Sequence, residues 1–285
     1  MGRVDNMRIH KRERKNIIIR FIFGLIICVF LMFPFIYMIF GSLNKASSDL
    51  MSGGFFPTAF QLSNYVEAIK QMHFFRLAKN TLIITAGSLF LMGTSSILVA
   101  YGFARFNAPG KSFIFYLILS TLMLPWVVTL PAMYMIFDKL HLVNTFVPLI
   151  APSFGGSAFY IFMMRIFISK IPTELDDSAK MDGCTSFGIL WRIIVPQMKP
   201  IIATMLVLSF GGVWSDYIGP SLYLQKSSLH TLSIGLKYFK SISGGSMPWH
   251  VVMAACTLFS VPMVVMMFAS QKALTEGMMT GGIKG

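Results

Sequence analysis

Six stretches of this chain stay apolar long enough to act as units: residues 17–40, 81–103, 112–137, 145–168, 201–218 and 251–269. A hydrocarbon layer of about 30 Å takes roughly 20 helical residues to cross, so each stretch has or approaches spanning length. Lipid offers the backbone no hydrogen-bond partner, which leaves the helix as the conformation that satisfies each segment by itself. The pattern predicts an all-α membrane protein of about six transmembrane helices. The first segment has the basic flank of a signal peptide, but it runs to Phe40 without a small-residue cleavage site and reads as a retained helix. Pro125, Pro131, Pro148 and Pro152 fall inside the third and fourth segments. Kinks rather than ends are expected there, because neighbouring helices can re-satisfy the freed carbonyls.

The polar stretches between these segments organise the remainder. A basic N-terminus, 1–16, precedes the helix at 17–40; 41–80 is an outer connection; 81–269 holds a five-helix core; 270–285 is a tail. In the first connection Tyr65, Ala68, Ile69 and Met72 recur at helical spacing, which predicts a short interfacial helix over 64–72. The outer connection 220–250 contains Gly244-Gly245 and reads as a mobile loop. The inner connection 169–199 carries the most informative chemistry.

Composition and charge sharpen this picture. Of 285 residues 55% are hydrophobic and only 12% charged, against about 25% charged in an ordinary soluble domain. A net charge of +13 would suit nucleic acid if it formed a stripe, yet the basic residues crowd 1–20 and the gaps between apolar runs. With the N-terminus inside, the inner segments hold 16 of the 24 Lys and Arg and the outer segments 8. That bias places both termini in the cytoplasm and makes lipid, not nucleic acid, the partner.

Several candidate chemistries lose their case on inspection. Cys28, Cys184 and Cys256 show no metal-ligand or disulfide spacing, and the 22 methionines are dispersed. No metal site is expected. His10, His73, His141, His230 and His250 lie on loops and edges without a nucleophile beside them, so no catalytic residue is expected and the chain does not read as an enzyme. Gly110-Lys111-Ser112 resembles the end of a phosphate-binding loop, but the position needing the earlier glycine is Arg105. A tight inner turn, with Arg105 and Lys111 at the headgroups, fits better. Arg165 reads as a snorkelling anchor. Trp214, Asp216 and Tyr217 sit together at the outer end of the fifth segment. An acid at membrane depth marks a substrate path by default, with the rings offering flat stacking surfaces; an interfacial aromatic belt accounts for the same trio.

The inner loop runs from Ile171 through Pro172, Glu174, Asp176, Asp177, Ser178, Ala179, Asp182 and Gly183 to Pro196. Acids at the start suit a helix N-terminus, and Gly183 supplies a left-handed stop, so a short helix over 174–181, a turn and a returning helix are predicted. Asp177-Ser178-Ala179 followed by Asp182-Gly183 resembles the Glu-Ala-Ala loop of ABC importer permeases, with Asp for Glu and Ser for the first Ala. The resemblance extends through Asn80-Thr81-Leu82, Ala100 to Arg105, Leu142-Val143-Asn144-Thr145, Thr231-Leu232, Gly235-Leu236 and the closing Thr280 to Gly285. It is specifically similar to the second permease of the maltose-type, carbohydrate-uptake branch.

That resemblance implies a type I importer bundle in a bacterial inner membrane, moving a sugar or oligosaccharide by alternating access. It implies a second homologous permease, two cytoplasmic ATPase subunits and an external solute-binding protein as partners. ATP and Mg would belong to the ATPases, with no cofactor on this chain. Glu174, Asp177, Ser178, Ala179, Asp182 and Gly183 are the implied ATPase-coupling residues, the small ones allowing close approach. A solvated loop without a partner is the plainer alternative. A related permease for glycerol phosphate or polyamine, and an ion-coupled secondary transporter, are the rival functions.

Overall fold

The computed structural model describes residues 2–45, 56, 60–242 and 249–282, and every described element is helical. In chain order they are α1 (Gly2–Leu43), α2 (Ser63–Gln71), α3 (Phe74–Arg105), α4 (Lys111–Ser120), α5 (Trp126–Lys139), α6 (Val147–Ile150) and α7 (Ala158–Ser169). There follow α8 (Glu174–Met181), α9 (Ser186–Ile189), α10 (Val195–Gln197), α11 (Lys199–Trp214), α12 (Ile218–Tyr223), α13 (Leu232–Ile242) and α14 (Trp249–Gly282). Among the described residues Asn16–Leu43, Phe74–Arg105, Val147–Ser169 and Trp249–Gln271 are each long and apolar enough to cross a membrane. Two bent pairs, Lys111–Met123 with Trp126–Lys139 and Ser186–Gln197 with Lys199–Trp214, raise the number to six if each is one span.

The prolines act more strongly than expected. Residues 111–139 do not form one kinked helix: the two arms meet at 100°. Leu124 is extended (φ −87°, ψ 114°) in front of Pro125, because a proline ring disfavours the helical conformation of its predecessor. Pro148 and Pro152 sit in the first turns of α6 and of a 3-10 segment, Ala151–Gly155, where a missing N–H costs nothing. Of the four prolines in these two segments, only Pro131 lies inside its helix. The 220–250 connection, expected as a mobile loop, is largely α12, a 3-10 turn at Ser227–Leu229 and α13; Gly244-Gly245 falls outside the described residues.

The chain divides into two units, Met1–Ala68 with Ser243–Leu258 and Ile69–Ile242 with Phe259–Gly285. In the first, α1 is exposed through its apolar span and is held at its end. Asn64 Nδ2 donates to the carbonyls of Ser42 and Asn44 (2.8 Å each), His250 Nδ1 lies 2.8 Å from the Gly41 carbonyl, and Gln61 N–H donates to Leu43 (2.9 Å). Carbonyls orphaned by the helix end thus find partners.

In the second unit α3 is central. Its buried positions Thr85, Ser88, Gly93, Ser96 and Ala100 are small, which lets neighbouring helices approach closely. A Cβ on Gly93 would sit 3.0 Å from the Met205 side chain. Around the Arg105 end, Ile97, Ala100 and Tyr101 join Met164, Ile168, Ile189, Leu190, Ile194 and Met198 in the main apolar cluster. At the other end side chains clamp backbone: Asn80 Nδ2 donates to the carbonyls of Ser228 and His230 (2.9 Å each), and Thr81 Oγ1 accepts from Leu232 N–H (2.9 Å). Asn144 Oδ1 accepts from the N–H groups of Gln225 (2.7 Å) and Lys226 (3.0 Å). Asn80-Thr81, Asn144 and Thr231-Leu232 are far apart in sequence and gather at this one end.

Candidate functional site

Two places in the second unit carry chemistry, one at each end of α3. At the Arg105 end, α8 starts where the Thr173 carbonyl accepts from Asp176 N–H (3.0 Å) and Asp177 N–H (3.1 Å). Glu174, Asp176 and Asp177 occupy its first turn, at the positive end of the dipole. Gly183 ends it at φ +81°, with Gly183 N–H bonded to the Lys180 carbonyl and Cys184 N–H to that of Ala179, each at 2.9 Å. Those paired bonds make a Schellman stop. A Cβ on Gly183 would meet nothing within 4 Å, so the backbone conformation alone requires glycine within this chain.

The small helix has two unlike faces. Glu174, Leu175, Asp177, Ser178, Met181, Asp182 and Gly183 are exposed, Met181 to 88%. Asp176 and Ala179, one turn apart, are buried. The expected small contact face is therefore divided: Ser178 and Gly183 face outward, whereas Ala179 packs into the chain's own apolar cluster with Cys184 against it. Lys180 donates to Asp177 Oδ1 at 2.9 Å on the exposed side.

Arg105 is not a headgroup anchor. Its side chain is 7% exposed, its Nε lies 2.7 Å from Asp176 Oδ2, and one Nη donates to the Ile171 carbonyl at 2.8 Å. As the last residue of α3 it points across that end of the bundle at the loop. Asp176 was missing from the residues expected to matter, because three acids in one turn have equal standing until the buried face is known. Its i, i+3 spacing to Ala179 was the available signal. Lys111 closes its turn by donating to the Phe106 carbonyl at 2.7 Å, and the Arg165 guanidinium lies over the Phe115 ring at 4.0 Å.

At the other end lies a cavity of about 320 Å³. Thr81, Ile84 and Ser88 line it from α3 and Trp126 from α5, with Leu149, Ser153, Gly212, Val213, Asp216, Pro220 and Thr231 completing the wall. Thr81, Ser88, Ser153 and Thr231 contribute hydroxyl groups to this wall, Asp216 a carboxylate and Trp126 an indole; Thr81 is bonded to Leu77 and Leu232, Ser88 to Leu149 and Thr231 to Ser233, and among the described lining residues there is no Lys or Arg. Asp216 Oδ1 accepts from Gly219 N–H at 3.3 Å, and a Cβ on Gly219 would stand 2.6 Å from Oδ2, so glycine there leaves the carboxylate its place.

Of the expected trio, the structure puts Asp216 alone on this wall. Trp214 is buried, stacked on Phe210 at 5.3 Å and donating Nε1–H to the Phe259 carbonyl at 3.1 Å. It packs the bundle and offers no open ring face. Tyr217 lies under Lys237 Nζ at 4.1 Å beside a second, shallower cavity. The aromatic surface on the cavity that holds Asp216 belongs to Trp126, which the sequence hid by burying it in an apolar run; the preceding Pro125 break was the signal that a side chain there could face inward.

Comparison with known proteins places this architecture. The chain is 29% identical over 269 residues to the arabinooligosaccharides transport system permease protein AraQ of Bacillus subtilis, covering 93% of this chain and 94% of that one. It is 31% identical over 257 residues to the melibiose/raffinose/stachyose import permease protein MelC of the same organism, covering 88% and 91%. A bacterial ABC transporter involved in the import of the acidic polysaccharide alginate shares the fold, with a TM-score of 0.79 at 20% identity over 92% of this chain and 97% of that one. Residues 94–280 match the binding-protein-dependent transport system inner membrane component, and the chain is a multi-pass membrane permease of that family.

Proposed function

We propose that this permease moves a neutral sugar or oligosaccharide into the cell, working with a second homologous permease, two cytoplasmic ATPases and an external solute-binding protein. The cavity carries the reading: hydroxyls from three parts of the chain, the Asp216 carboxylate and the Trp126 indole converge on a space of about 320 Å³. Saccharides present alternating hydroxyls and flat C–H faces, which such a wall complements. The names of the relatives, importers of arabinooligosaccharides and of melibiose, raffinose and stachyose, support the same substrate class.

The exposed face of α8 supports docking on a partner ATPase. Glu174, Asp177 and Asp182 can pair with basic groups, and Ser178 and Gly183 allow a close surface. ATP and Mg act on the ATPases, whose closure biases two arrangements of the bundle. Both termini then lie in the cytoplasm. Cysteine at exposed Ser227 should react with an impermeant thiol reagent in intact cells and cysteine at Met181 should not; the reverse result would invert the orientation.

Reconstituted with its partners in liposomes, the complex should accumulate labelled neutral oligosaccharide only with ATP and binding protein present. Asp216→Lys should reduce uptake at least tenfold without loss of assembly, whereas Gly183→Val, strained by about 1–2 kcal/mol at its left-handed position, should release the ATPases. Uptake driven by an ion gradient without ATPase would overturn the importer reading, and full uptake by Asp216→Lys would remove the cavity from the path.

A further inference from the structure

The last turn of α3 grips the inner loop at three points. Arg105 reaches the Ile171 carbonyl just before α8 and the Asp176 carboxylate in its first turn, at 2.8 and 2.7 Å. Tyr101, four residues earlier on the same face, donates its hydroxyl hydrogen to the Ser186 carbonyl at 3.2 Å, beyond the Gly183 turn. Both limbs of the loop are thus tied to one helix end.

The ion pair is a poor device for stability. Arg105 Nε is close to Asp176 Oδ2 without a linear hydrogen bond, and Asp176 Oδ1 is buried with no hydrogen-bond partner. Replacing a buried ion pair of this kind by apolar residues of similar volume is often neutral or stabilising. What a guanidinium provides and an apolar contact does not is direction: a rigid planar group hydrogen-bonded to the Ile171 carbonyl and ion-paired with the Asp176 carboxylate resists sliding and rocking of α8 against α3. An apolar contact at the same place could slip. The opposite part of α3 presents Thr81, Ile84 and Ser88 to the cavity. The helix between runs unbroken from Phe74 to Arg105 with no proline in it.

We propose that Arg105 and Asp176 are positioning residues that lock α8 to α3, making α3 the rod that carries displacement of the docked loop to the cavity wall. The proposal rests on α8 being the ATPase-docking element. It leaves the exposed face of α8 to the partner and assigns the buried face to transmission.

The test uses the assembled complex with its ATPases in lipid, the native cysteines replaced by serine and one cysteine placed at Ser88. The readout is the rate of labelling of that cysteine by a small thiol reagent with and without Mg-ATP, beside the amount of ATPase retained. With Arg105 and Asp176 present, Mg-ATP should change the rate at least fivefold. Arg105→Met with Asp176→Leu should keep the ATPases bound and reduce that ratio to about one, and the exchange Arg105→Asp with Asp176→Arg should recover part of it. Arg105→Lys, a flexible point charge that cannot keep both the Ile171 hydrogen bond and the Asp176 ion pair in fixed geometry, should give an intermediate ratio and serves if the apolar pair does not assemble. A full response in the apolar pair, or in Arg105→Lys where that pair is lost, overturns the proposal. Asp177→Lys separates the two readings: if it keeps both ATPases and the full response, α8 is not the docking element. If it loses them while the apolar pair responds fully, the link alone is wrong.

Discussion

The two ends of α3 are held by different physics. At the Arg105 end a broad apolar cluster closes around a buried ion pair. At the Thr81 end a small cluster of Ile84, Leu224 and Ile234 is supplemented by neutral side chains holding backbone groups of residues 228–232. A neutral hydrogen bond can be remade with a neighbouring carbonyl or with water for about 1 kcal/mol. A buried charge cannot change partners so cheaply. The contrast teaches where this unit can rearrange: the cavity end has replaceable fastenings, and the loop end travels as a block.

The comparison can be broken by measuring each fastening in the purified permease, by thermal or denaturant unfolding in detergent. Asp176→Leu strands the Arg105 guanidinium and should destabilise by about 3–5 kcal/mol. Asn80→Ala leaves two carbonyls with one partner fewer and should cost about 1–3 kcal/mol. If Asn80→Ala proved the more damaging, the assignment of rigid and adjustable ends would be reversed. Lys180→Ala removes an ion pair whose side chains are 59% and 70% exposed, and no resolvable change in stability is expected. A measurable loss would mean that the exposed face of α8 also stabilises the fold.

The helical class and the α8 stop were legible because each follows from a local rule: apolar length, acids at a helix start, glycine at a left-handed turn. The Gly183 φ and its two closing bonds follow from position alone. What stayed hidden depends on which neighbour a side chain meets. Arg105 reads as a headgroup anchor from charge bias, and only the approach of α8 turns it into half of a buried pair. Trp214 and Trp126 are equally apolar in sequence; packing against Phe210 and Phe259 removes one from solvent-accessible space, and the turn at Pro125 brings the other to the cavity. The family motifs showed their order without their purpose, which emerges once Asn80, Thr81 and Asn144 are seen binding the backbone of 225–232.

The attachment of α1 has a practical corollary. From 16 to 36 its side chains are exposed, with Gly24 half-buried, and the bonds that hold its end come from the short stretch Gly41 to Asn44. This span resembles a mast stepped at its foot. Exchange of its shaft for an unrelated apolar sequence of equal length is expected to leave the grip of Asn64 and His250 on the base intact.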